Sequence, residues 1–456
     1  MPNDLNRRDF VKNATVAATA ATVACGRAEE QPAQRPNILW LISEDTGPEL
    51  GCYGYPLVHT PNLDRLAAEG VRFTSAFTNA PVCSASRSSF MTGRYCTSIG
   101  AHNHRSHRGD GFGLPEGVHV FTKYLRDAGY FTCLPGAKKT DWNFTDSEKP
   151  YDSNDWADLK THQPFFAQYG FGETHRTFKH CPGHPVDPAK VTLPPYYPDH
   201  PITRQDWALY LEDINVLDQK IGAVLQKLED DGLADNTVVF YFGDHGRCHV
   251  RDKQFLYDGG IRVPLLIRWP GQVQPGTVDD ELVSALDFAP TCLDVAGAPA
   301  QKNMQGRVFL GAHKQPEPRY VFATRDRCDE TVDRIRCVRD HRYKYLRNFL
   351  PDRPYMQPNA YKARQYPVWN LLKELHAAGK LTPEQELFVA DHRPPEELFD
   401  LRTDPWEVNN LAADPAHQDV LQRMRAALEA WIVDTDDQGR FPESAEAVAA
   451  AQEKAR

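Results

Sequence analysis

The chain has 456 residues, which is long enough for one large α/β domain with a smaller companion or for two or three modest domains. Hydrophobic residues make up 41% and charged residues 25% of the sequence, a composition typical of a soluble globular protein. The net charge of −10 argues against nucleic acid and anionic membranes as partners, so a site for anions would have to concentrate its cations locally.

The first 26 residues differ from the rest of the chain. Arg7 and Arg8 precede a mildly apolar stretch, too short and too rich in Ala and Thr to span a bilayer, that ends in VACG. Residues 1–26 are therefore predicted to be a twin-arginine export signal, and the small residues before Cys25 resemble a lipoprotein cleavage site. The predicted location is the periplasm or the outer surface, either free or tethered through a lipidated Cys25. The alternative is a disordered N-terminus in which the arginines occur by chance.

Residues 35–312 alternate strand and helix patterns and are predicted to form a catalytic domain. Pro36–Ser43 (PNILWLIS) is a short apolar run of the kind found in a strand buried on both faces. Thr60 as the N-cap and Pro61 at the first helical position predict a helix that closes at Gly70.

Longer patterns follow in the same region. The apolar residues of Arg204–Asp231 fall on one stripe, which predicts a long helix. Asn236–Phe242 and Arg262–Trp269 repeat the pattern of a buried strand. Because strands alternate with helices, the predicted fold class is α/β, with a large, mostly parallel sheet sandwiched by helices.

The pattern of polar and apolar residues changes near Pro316. The segments RYVFATRD, DRIRCVRD and HRYKYLRNF alternate polar and apolar residues over short runs that are separated by turns. Residues 313–456 are therefore predicted to form a smaller C-terminal α+β subdomain, an antiparallel sheet with a helix near His417–Val433 packed on it. Cys328 and Cys337 flank a predicted hairpin, and of the ten cysteines they are the first pair to test for a disulfide.

Polar pairs directly follow two of the predicted strands. Glu44 and Asp45 come after the first strand, and Asp244 and His245 come after the strand at 236–242. Because ligands bind at the carboxyl ends of parallel strands, these side chains are predicted to form a Ca²⁺ or Mg²⁺ site; carboxylate-rich ligation disfavours zinc. A single Asp-His-Gly after a strand would more simply be a turn.

Cys83 opens the segment CSASRSSFMTG, in which a helix is predicted to begin just after the cysteine. The N-terminal amides of that helix would favour an anion next to Cys83, and Arg87, one turn further on, would pair with it. Taken alone, this window favours an ordinary buried thiol, because unpaired cysteines mostly pack as small hydrophobic residues.

Three other basic residues follow apolar runs: Lys139, His175 and Lys253. Each of them alone is more often a solvated surface residue. Together they would provide the cationic pocket that an acidic protein needs in order to bind an oxyanion.

The chain resembles the type I, formylglycine-dependent sulfatases of the alkaline-phosphatase-like superfamily over essentially the whole mature protein. A lone C-x-[PA]-x-R motif would be a weak signal, whereas an ordered series of motifs is a strong one. The segments that carry the resemblance occur in the family's order: PNILWLISED, TPNLDRLAAEGVRFTSAF, CSASR with MTGRY, GYFT and GAKKTD, PFFAQYGFGETH, VVFYFGDHG, KQFLYDGGIRVPLLIRWPG, DFAPTCLDVAG and ELFDLRTDPWEVNNLA. Within this family, the chain resembles heparan N-sulfatase-like and other bacterial glycan sulfatases.

The resemblance implies a specific chemistry at Cys83. A formylglycine-generating or anaerobic maturation enzyme would convert this residue to Cα-formylglycine, whose hydrate is a geminal diol. One hydroxyl, activated by Ca²⁺ (Mg²⁺ is the second choice), attacks sulfur and displaces the alcohol. The second hydroxyl then loses its proton, sulfate is expelled and the aldehyde returns.

The family pattern also implies the roles of individual residues. The implied metal ligands are Glu44, Asp45, residue 83, Asp244 and His245. The implied catalytic residues are Arg87 and Lys139, which hold the hydrate, Lys253, which binds sulfate oxygens, and His175, which contacts sulfate or protonates the leaving oxygen.

The sequence departs from the family pattern at three positions. Glu44 stands where aspartate is usual, and its additional methylene must change the metal geometry. Ala85 stands where proline is commoner in the cysteine motif, which bears on the maturation system. Asp141 stands where many relatives have the histidine of Lys-x-His, and we expect it to orient Lys139 or to meet a substrate hydroxyl.

The segment Gly100–Gly109 (GAHNHRSHRG) carries three histidines and two arginines. It is either a polar surface loop or a loop that contacts an anionic glycan, in which case His102 and His104 would bind substrate. Since this region resembles glycan sulfatases, a sulfated sugar is favoured over an aryl sulfate. The predicted function is the hydrolysis of sulfate esters, or of an N-sulfate, of a sulfated carbohydrate.

Two alternatives remain open. A phosphonate monoester or phosphodiester hydrolase of the same superfamily would share the nucleophile and the metal site. A catalytically silent, lipid-anchored glycan-binding protein would carry an unconverted Cys83.

Overall fold

The computed structural model describes residues 35–136 and 139–455. The predicted export signal at 1–26 and the predicted lipid attachment at Cys25 lie outside the described residues. From Arg35 onward the described residues form one compact unit.

The strands and helices follow one another along the chain as the alternating pattern predicts. The strands are β1 (Asn37–Ser43), β2 (Val71–Phe73), β3 (Ala76–Phe77), β4 (Phe131–Cys133), β5 (Phe165–Phe171), β6 (Thr237–Gly243), β7 (Leu265–Arg268), β8 (Thr277–Asp279), β9 (Val283–Ser284), β10 (Val321–Arg325), β11 (Ile335–Arg339), β12 (Tyr343–Asn348) and β13 (Glu396–Asp400). The helices are α1 (Pro61–Ala68), α2 (Cys83–Thr92), α3 (Phe121–Asp127), α4 (Pro201–Asp230), α5 (Asp258–Ile261), α6 (Phe288–Val295), α7 (Ala360–Gln365), α8 (Pro367–Ala377), α9 (Pro383–Val389), α10 (Gln418–Asp434) and α11 (Ala445–Ala455).

The larger sheet has seven strands in the order β4-β5-β1-β6-β7-β2-β8. β1 pairs in parallel with both β5 and β6, so it lies in the middle of the sheet. Every residue of β1 and β6 is buried, because helices cover both faces. This confirms the predicted α/β fold with a large, mostly parallel sheet.

β7 differs from its neighbours in direction. It pairs antiparallel with both β6 and β2. The strand predicted over Arg262–Trp269 is also shorter than expected, since it begins at Leu265, directly after Pro264, a residue that has no N–H to donate to a neighbouring strand.

Trp40 anchors the central strand in the core. Its side chain is fully buried, and its indole Nε1 lies 3.2 Å from Sγ of Cys292. The indole ring contacts six phenylalanine rings, those of Phe90, Phe121, Phe166, Phe240, Phe242 and Phe288. This packing fixes the position of β1, and with it the start of the segment that carries Glu44 and Asp45.

The second sheet has four antiparallel strands in the order β10-β11-β12-β13. The helix predicted near His417–Val433 is confirmed as α10, which packs its buried residues Leu421, Met424, Leu428 and Trp431 on this sheet. Cys328 and Cys337 are both free thiols, so the disulfide expected between them is not formed. Within the described ranges, no helix combines the length and the apolar character needed to cross a bilayer.

Candidate active site

The polar residues after β1 and β6 meet at one edge of the larger sheet, as the sequence predicts. The parallel register places Ser43 beside Gly243, and the N–H of Asp244 donates to the Ser43 carbonyl at 2.9 Å. Asp45 then turns back with a left-handed φ of 52°, and its N–H donates to Oδ1 of Asp244 at 3.0 Å. The two carboxylates are therefore held together by the backbone.

Cys83 lies against these residues. It is the first residue of α2, one position earlier than predicted, and only 2% of it is exposed. Its Sγ lies 3.3 Å from Nε2 of His245, 3.7 Å from Oδ1 of Asp45 and 3.9 Å from Nζ of Lys253. One donor atom from each of Asp45, Cys83, Asp244 and His245 lies within 4.8 Å of the others, and we call these four residues the donor group.

Buried cations balance the carboxylates of the donor group. Arg87 Nε donates to Oδ2 of Asp244 at 3.0 Å, and Lys253 Nζ donates to Oδ2 of Asp45 at 2.6 Å. Burial alone would raise the pKa of Asp45, but Lys253 and His245 hold it well below its usual value. Burial alone would lower the pKa of His245, whereas Asp45 and Asp244 raise it to about 10. The site is therefore a dense network of opposite charges without bulk water.

The donor group fits a divalent cation. Carboxylate oxygens and an imidazole nitrogen are donors that hard or borderline metal ions accept, and they converge here from two strand ends and a helix start. His245 Nδ1 lies 2.9 Å from the Gly246 carbonyl oxygen, which only accepts, so Nε2 is the nitrogen that faces the other donors.

Glu44 is not part of the donor group. Its Oε2 accepts from Lys139 Nζ at 2.7 Å, and Lys139 Nζ also lies 3.4 Å from Oδ2 of Asp141. Asp141, with a left-handed φ of 56°, makes an ion pair with Arg108 as well. Asp141 therefore contacts Lys139, the residue that we expect it to orient.

His175 stands beside Lys253 and Tyr361 rather than against the sulfur of Cys83. Its Nδ1 lies 2.8 Å from the carbonyl oxygen of Arg176, so this nitrogen carries the proton and Nε2 is left available. The charge of Lys253, and then burial, hold the pKa of His175 below its usual value in spite of Asp45.

A cavity of about 520 Å³ opens above these groups. Lys253 and His175 line it, and so does His104, whose Nδ1 lies 3.1 Å from Oδ1 of Asp329. His102 does not line the cavity: its side chain lies near Asp326, Arg336 and Asp437, whose charges act on its pKa. Of the two predicted substrate-binding histidines, the structure brings only His104 to the site.

Several residues that line the cavity were not predicted from the sequence. Arg105 follows His104 on one wall, and Tyr361 and Arg364 of α7 lie on another. The Lys253 ammonium lies 5.6 Å from the centre of the Tyr361 ring. α7 comes from the part of the chain assigned to the C-terminal subdomain, and no strand-end pattern marks these residues.

Two family models match the chain. The one described as Sulfatase matches residues 36–158 and 150–298, more than half of the chain, and includes the whole donor group. The one described as N-sulphoglucosamine sulphohydrolase, C-terminal, matches residues 243–357. α7 begins beyond both matches.

Two relatives are similar to the chain over most of its length. An ulvan-active sulfatase from Formosa agariphila is 36% identical, with 90% of this chain and 77% of that protein covered. The human N-sulphoglucosamine sulphohydrolase is 26% identical, with 88% of this chain and 90% of that protein covered.

Two solved structures share the fold at low identity. A structure in complex with its substrate D-glucosamine-2-N,6-O-disulfate has a TM-score of 0.66 at 18% identity, with 89% of this chain and 99% of that chain covered. A phosphonate monoester hydrolase from Silicibacter pomeroyi has a TM-score of 0.65 at 20% identity, with 89% of this chain and 96% of that chain covered.

Proposed function

The chain belongs to the sulfatase family of sulfuric ester hydrolases. From this we propose that it hydrolyses a sulfate ester, or an N-sulfate, of a sulfated carbohydrate. The observation that carries the proposal is the position of Cys83. Its sulfur lies between the imidazole of His245 and the ammonium of Lys253, which lines the cavity. A nucleophile formed on this residue would have a cation site on one side and a sulfate-binding charge on the other.

We assign a divalent cation to the donor group, with Ca²⁺ preferred and Mg²⁺ as the second choice. Asp45, Asp244, His245 and residue 83 would hold it, and Glu44 would be a further ligand after release from Lys139. When bound, the ion supplies the positive charge that lowers the pKa of the nucleophilic hydroxyl on residue 83. The chemistry of the donor atoms supports this assignment, because Ca²⁺ and Mg²⁺ prefer oxygen ligands.

The other assigned roles follow from what each side chain touches. Arg87 and Lys139 would hold the formylglycine hydrate; Asp244 contacts Arg87, and Asp141 contacts Lys139. Lys253 would bind the sulfate oxygens, since its ammonium lies 3.9 Å from Sγ of Cys83 and faces the cavity. Fixed cations around a transferring anionic group stabilise the charge that it develops in the transition state.

His175 would contact sulfate or protonate the leaving oxygen or nitrogen. Its Nδ1–H donates a hydrogen bond to the Arg176 carbonyl, so the proton to be transferred would be on Nε2. This assignment requires the protonated imidazolium, which the negative charge of a bound sulfate would favour.

A sulfated glycan is supported as the substrate class by the cavity and by the relatives. The volume of about 520 Å³ accommodates at least one sugar ring beside the sulfate. Arg105 and Arg364 both line the cavity, and among the described residues neither forms an ion pair with a carboxylate. The relatives include an ulvan-active sulfatase and an N-sulphoglucosamine sulphohydrolase.

Mass spectrometry of the tryptic peptide Phe73–Arg87, from protein made in its native host, tests the proposal most directly. We expect residue 83 to be present as formylglycine, supplied by a maturation enzyme that accepts Ala85 in the motif. Cys83→Ala should abolish turnover of sulfated oligosaccharides and keep the unfolding temperature of the wild type. A peptide that contains only cysteine, or an active Cys83→Ala variant, would contradict formylglycine catalysis.

Parallel kinetics on a sulfate ester and a phosphonate monoester of the same alcohol separate the two activities of the superfamily. We expect the larger kcat/KM for the sulfate ester. A clear preference for the phosphonate would favour the alternative hydrolase.

We also propose that residues 1–26 direct export through the twin-arginine pathway and that Cys25 carries a lipid. Arg7→Lys with Arg8→Lys should retain the protein in the cytoplasm. Cys25→Ala should move it from the membrane fraction to the soluble fraction. Unchanged fractionation of either variant would contradict the corresponding assignment.

A further inference from the structure

Lys362 is a fully buried lysine without a carboxylate partner in the described part of the chain. It lies on α7, and its Nζ is surrounded by aromatic rings, the centre of Phe255 being 4.6 Å away and those of Tyr366 and Trp369 5.6 Å away. Burial lowers the pKa of Lys362 well below its usual value, so the buried amino group depends on the hydrogen bonds that it makes.

Those groups are two backbone carbonyls of the loop that carries Lys253. Lys362 Nζ donates to the carbonyl of Val250 at 2.7 Å and to the carbonyl of Lys253 itself at 2.8 Å. Both bonds cross from α7 to the loop between β6 and α5.

The peptide unit after Lys253 is held at both ends. Lys362 binds its carbonyl, and its N–H, which belongs to Gln254, donates to the carbonyl of Pro81 at 2.9 Å. Gln254 has a left-handed φ of 75°, an unfavourable conformation for a residue with a side chain, which persists only where its surroundings enforce it. Because Pro81 lies two residues before Cys83, this clamp fixes the backbone of Lys253 relative to the nucleophile.

We propose that Lys362 is a positioning residue for Lys253: through the clamped peptide it sets where the Lys253 ammonium stands relative to residue 83 and the sulfate. The inference rests on the proposed role of Lys253 in binding sulfate. α7 begins at Ala360, after both matched family regions have ended. Lys362 acts through the backbone, while Tyr361 and Arg364 of the same helix face the cavity.

The affinity for inorganic sulfate tests the inference without knowledge of the natural substrate. Titration calorimetry of the Ca²⁺-loaded protein with sodium sulfate, at constant ionic strength, gives the dissociation constant. We expect Lys253→Ala to weaken sulfate binding roughly tenfold or more, as expected for loss of a charge-assisted hydrogen bond. Lys362→Met should weaken it by about the same order, because a small misplacement of a binding group is costly.

Two further variants separate positioning from general destabilisation. Lys344 is also fully buried, with Nζ 2.8 Å from Asp258 Oδ1 and 2.8 Å from Glu407 Oε1, away from the cavity. Lys344→Met should lower the unfolding temperature and leave sulfate affinity unchanged. Lys362→Gln keeps two N–H donors for the two carbonyls, so it should fold and recover part of the lost affinity even where Lys362→Met fails to fold.

The double variant provides the decisive comparison. If Lys362 acts through Lys253, then adding Lys362→Met or Lys362→Gln to Lys253→Ala should cause no further loss of sulfate affinity. Additive losses, or unchanged affinity in both Lys362 variants while Lys253→Ala binds weakly, would overturn the positioning role alone. Unchanged affinity in Lys253→Ala would overturn the proposed sulfate site, and the positioning role with it.

Discussion

Lys139 and Glu44 form an ion pair at the margin of the donor group, with Nζ 2.7 Å from Oε2. The longer side chain at position 44 thus finds a cationic partner, while Asp45 and Asp244 remain with Cys83 and His245. A cation that enters the donor group would compete with Lys139 for Glu44, so the two carboxylates that follow β1 should differ in their importance for metal binding.

The first prediction concerns this difference. We expect Asp244→Ala to weaken Ca²⁺ binding by about 100-fold or more, and Glu44→Ala by only roughly tenfold, because Glu44 must first be released from its ion pair with Lys139. Calorimetry on chelator-treated protein measures both. Equal losses would contradict a difference that is set by the ion pair with Lys139.

The second prediction concerns Asp141, which contacts Lys139. Because its Oδ2 lies 3.4 Å from Lys139 Nζ, Asp141→Ala should let Lys139 move and lower kcat on a sulfated oligosaccharide by roughly tenfold. Ca²⁺ affinity should stay unchanged, since Asp141 is outside the donor group. Arg108→Ala removes the other partner of Asp141 and keeps the Lys139 contact; because Arg108 lines the cavity, this variant should raise KM and leave kcat close to that of the wild type. A fall in kcat as large as in Asp141→Ala would contradict an effect through Lys139.

The third prediction is a pH dependence. A proton donor works in its protonated form, so kcat/KM should fall as pH rises through the pKa of His175. The charge of Lys253, and then burial, place that pKa below the usual 6.5 of histidine. His175→Gln should be slower at low pH and lack this decline. If kcat/KM of the variant still falls over the same pH range, a group other than His175 causes the decline.

The fourth prediction concerns stability in acid. Arg176 contacts Asp206 with Nη1 at 2.5 Å from Oδ1 and Nη2 at 2.7 Å from Oδ2. Burial would raise the pKa of Asp206, but Arg176 outweighs it and lowers the value to about 2.

Because this pKa is lower in the folded state than in the unfolded chain, the pair stabilises the protein fully above about pH 4. Its contribution, about 2 kcal/mol, is lost as pH falls toward 2. Asp206→Asn should cost about 3 kcal/mol of unfolding free energy at neutral pH, since it leaves Arg176 buried and unpaired. Between pH 4 and 2 the variant should lose less stability than the wild type, as urea unfolding would show. Parallel losses would place the acid sensitivity elsewhere.

The fold was predictable wherever local pattern and tertiary structure agree. The apolar runs became β1 and β6, and the stripe over Arg204–Asp231 became α4, because continuous burial and helical periodicity are visible in one sequence. The helix after Thr60 begins as expected, although Thr60 Oγ1 donates to Asp64 rather than capping the helix. An apolar run has no direction, so the antiparallel placement of β7 could not be foreseen.

The site was predictable at the strand ends and less so in the loops. Asp45, Asp244 and His245 meet because strand register determines where they emerge. His102 and His104 are two residues apart in an irregular loop, where no periodicity tells which one faces the cavity. Lys362 lies far along the chain in a polar segment, and only the tertiary structure reveals which groups its amino group contacts.

The burial of α2 determines the order of events in the life of the protein. All ten residues of this helix are inside the fold, so a maturation enzyme cannot reach the side chain of residue 83 once the helix has packed. If residue 83 is converted as proposed, the conversion would have to take place before α2 packs. A molecule that folds first would then stay inactive, and the active fraction of a preparation would report how modification competes with folding.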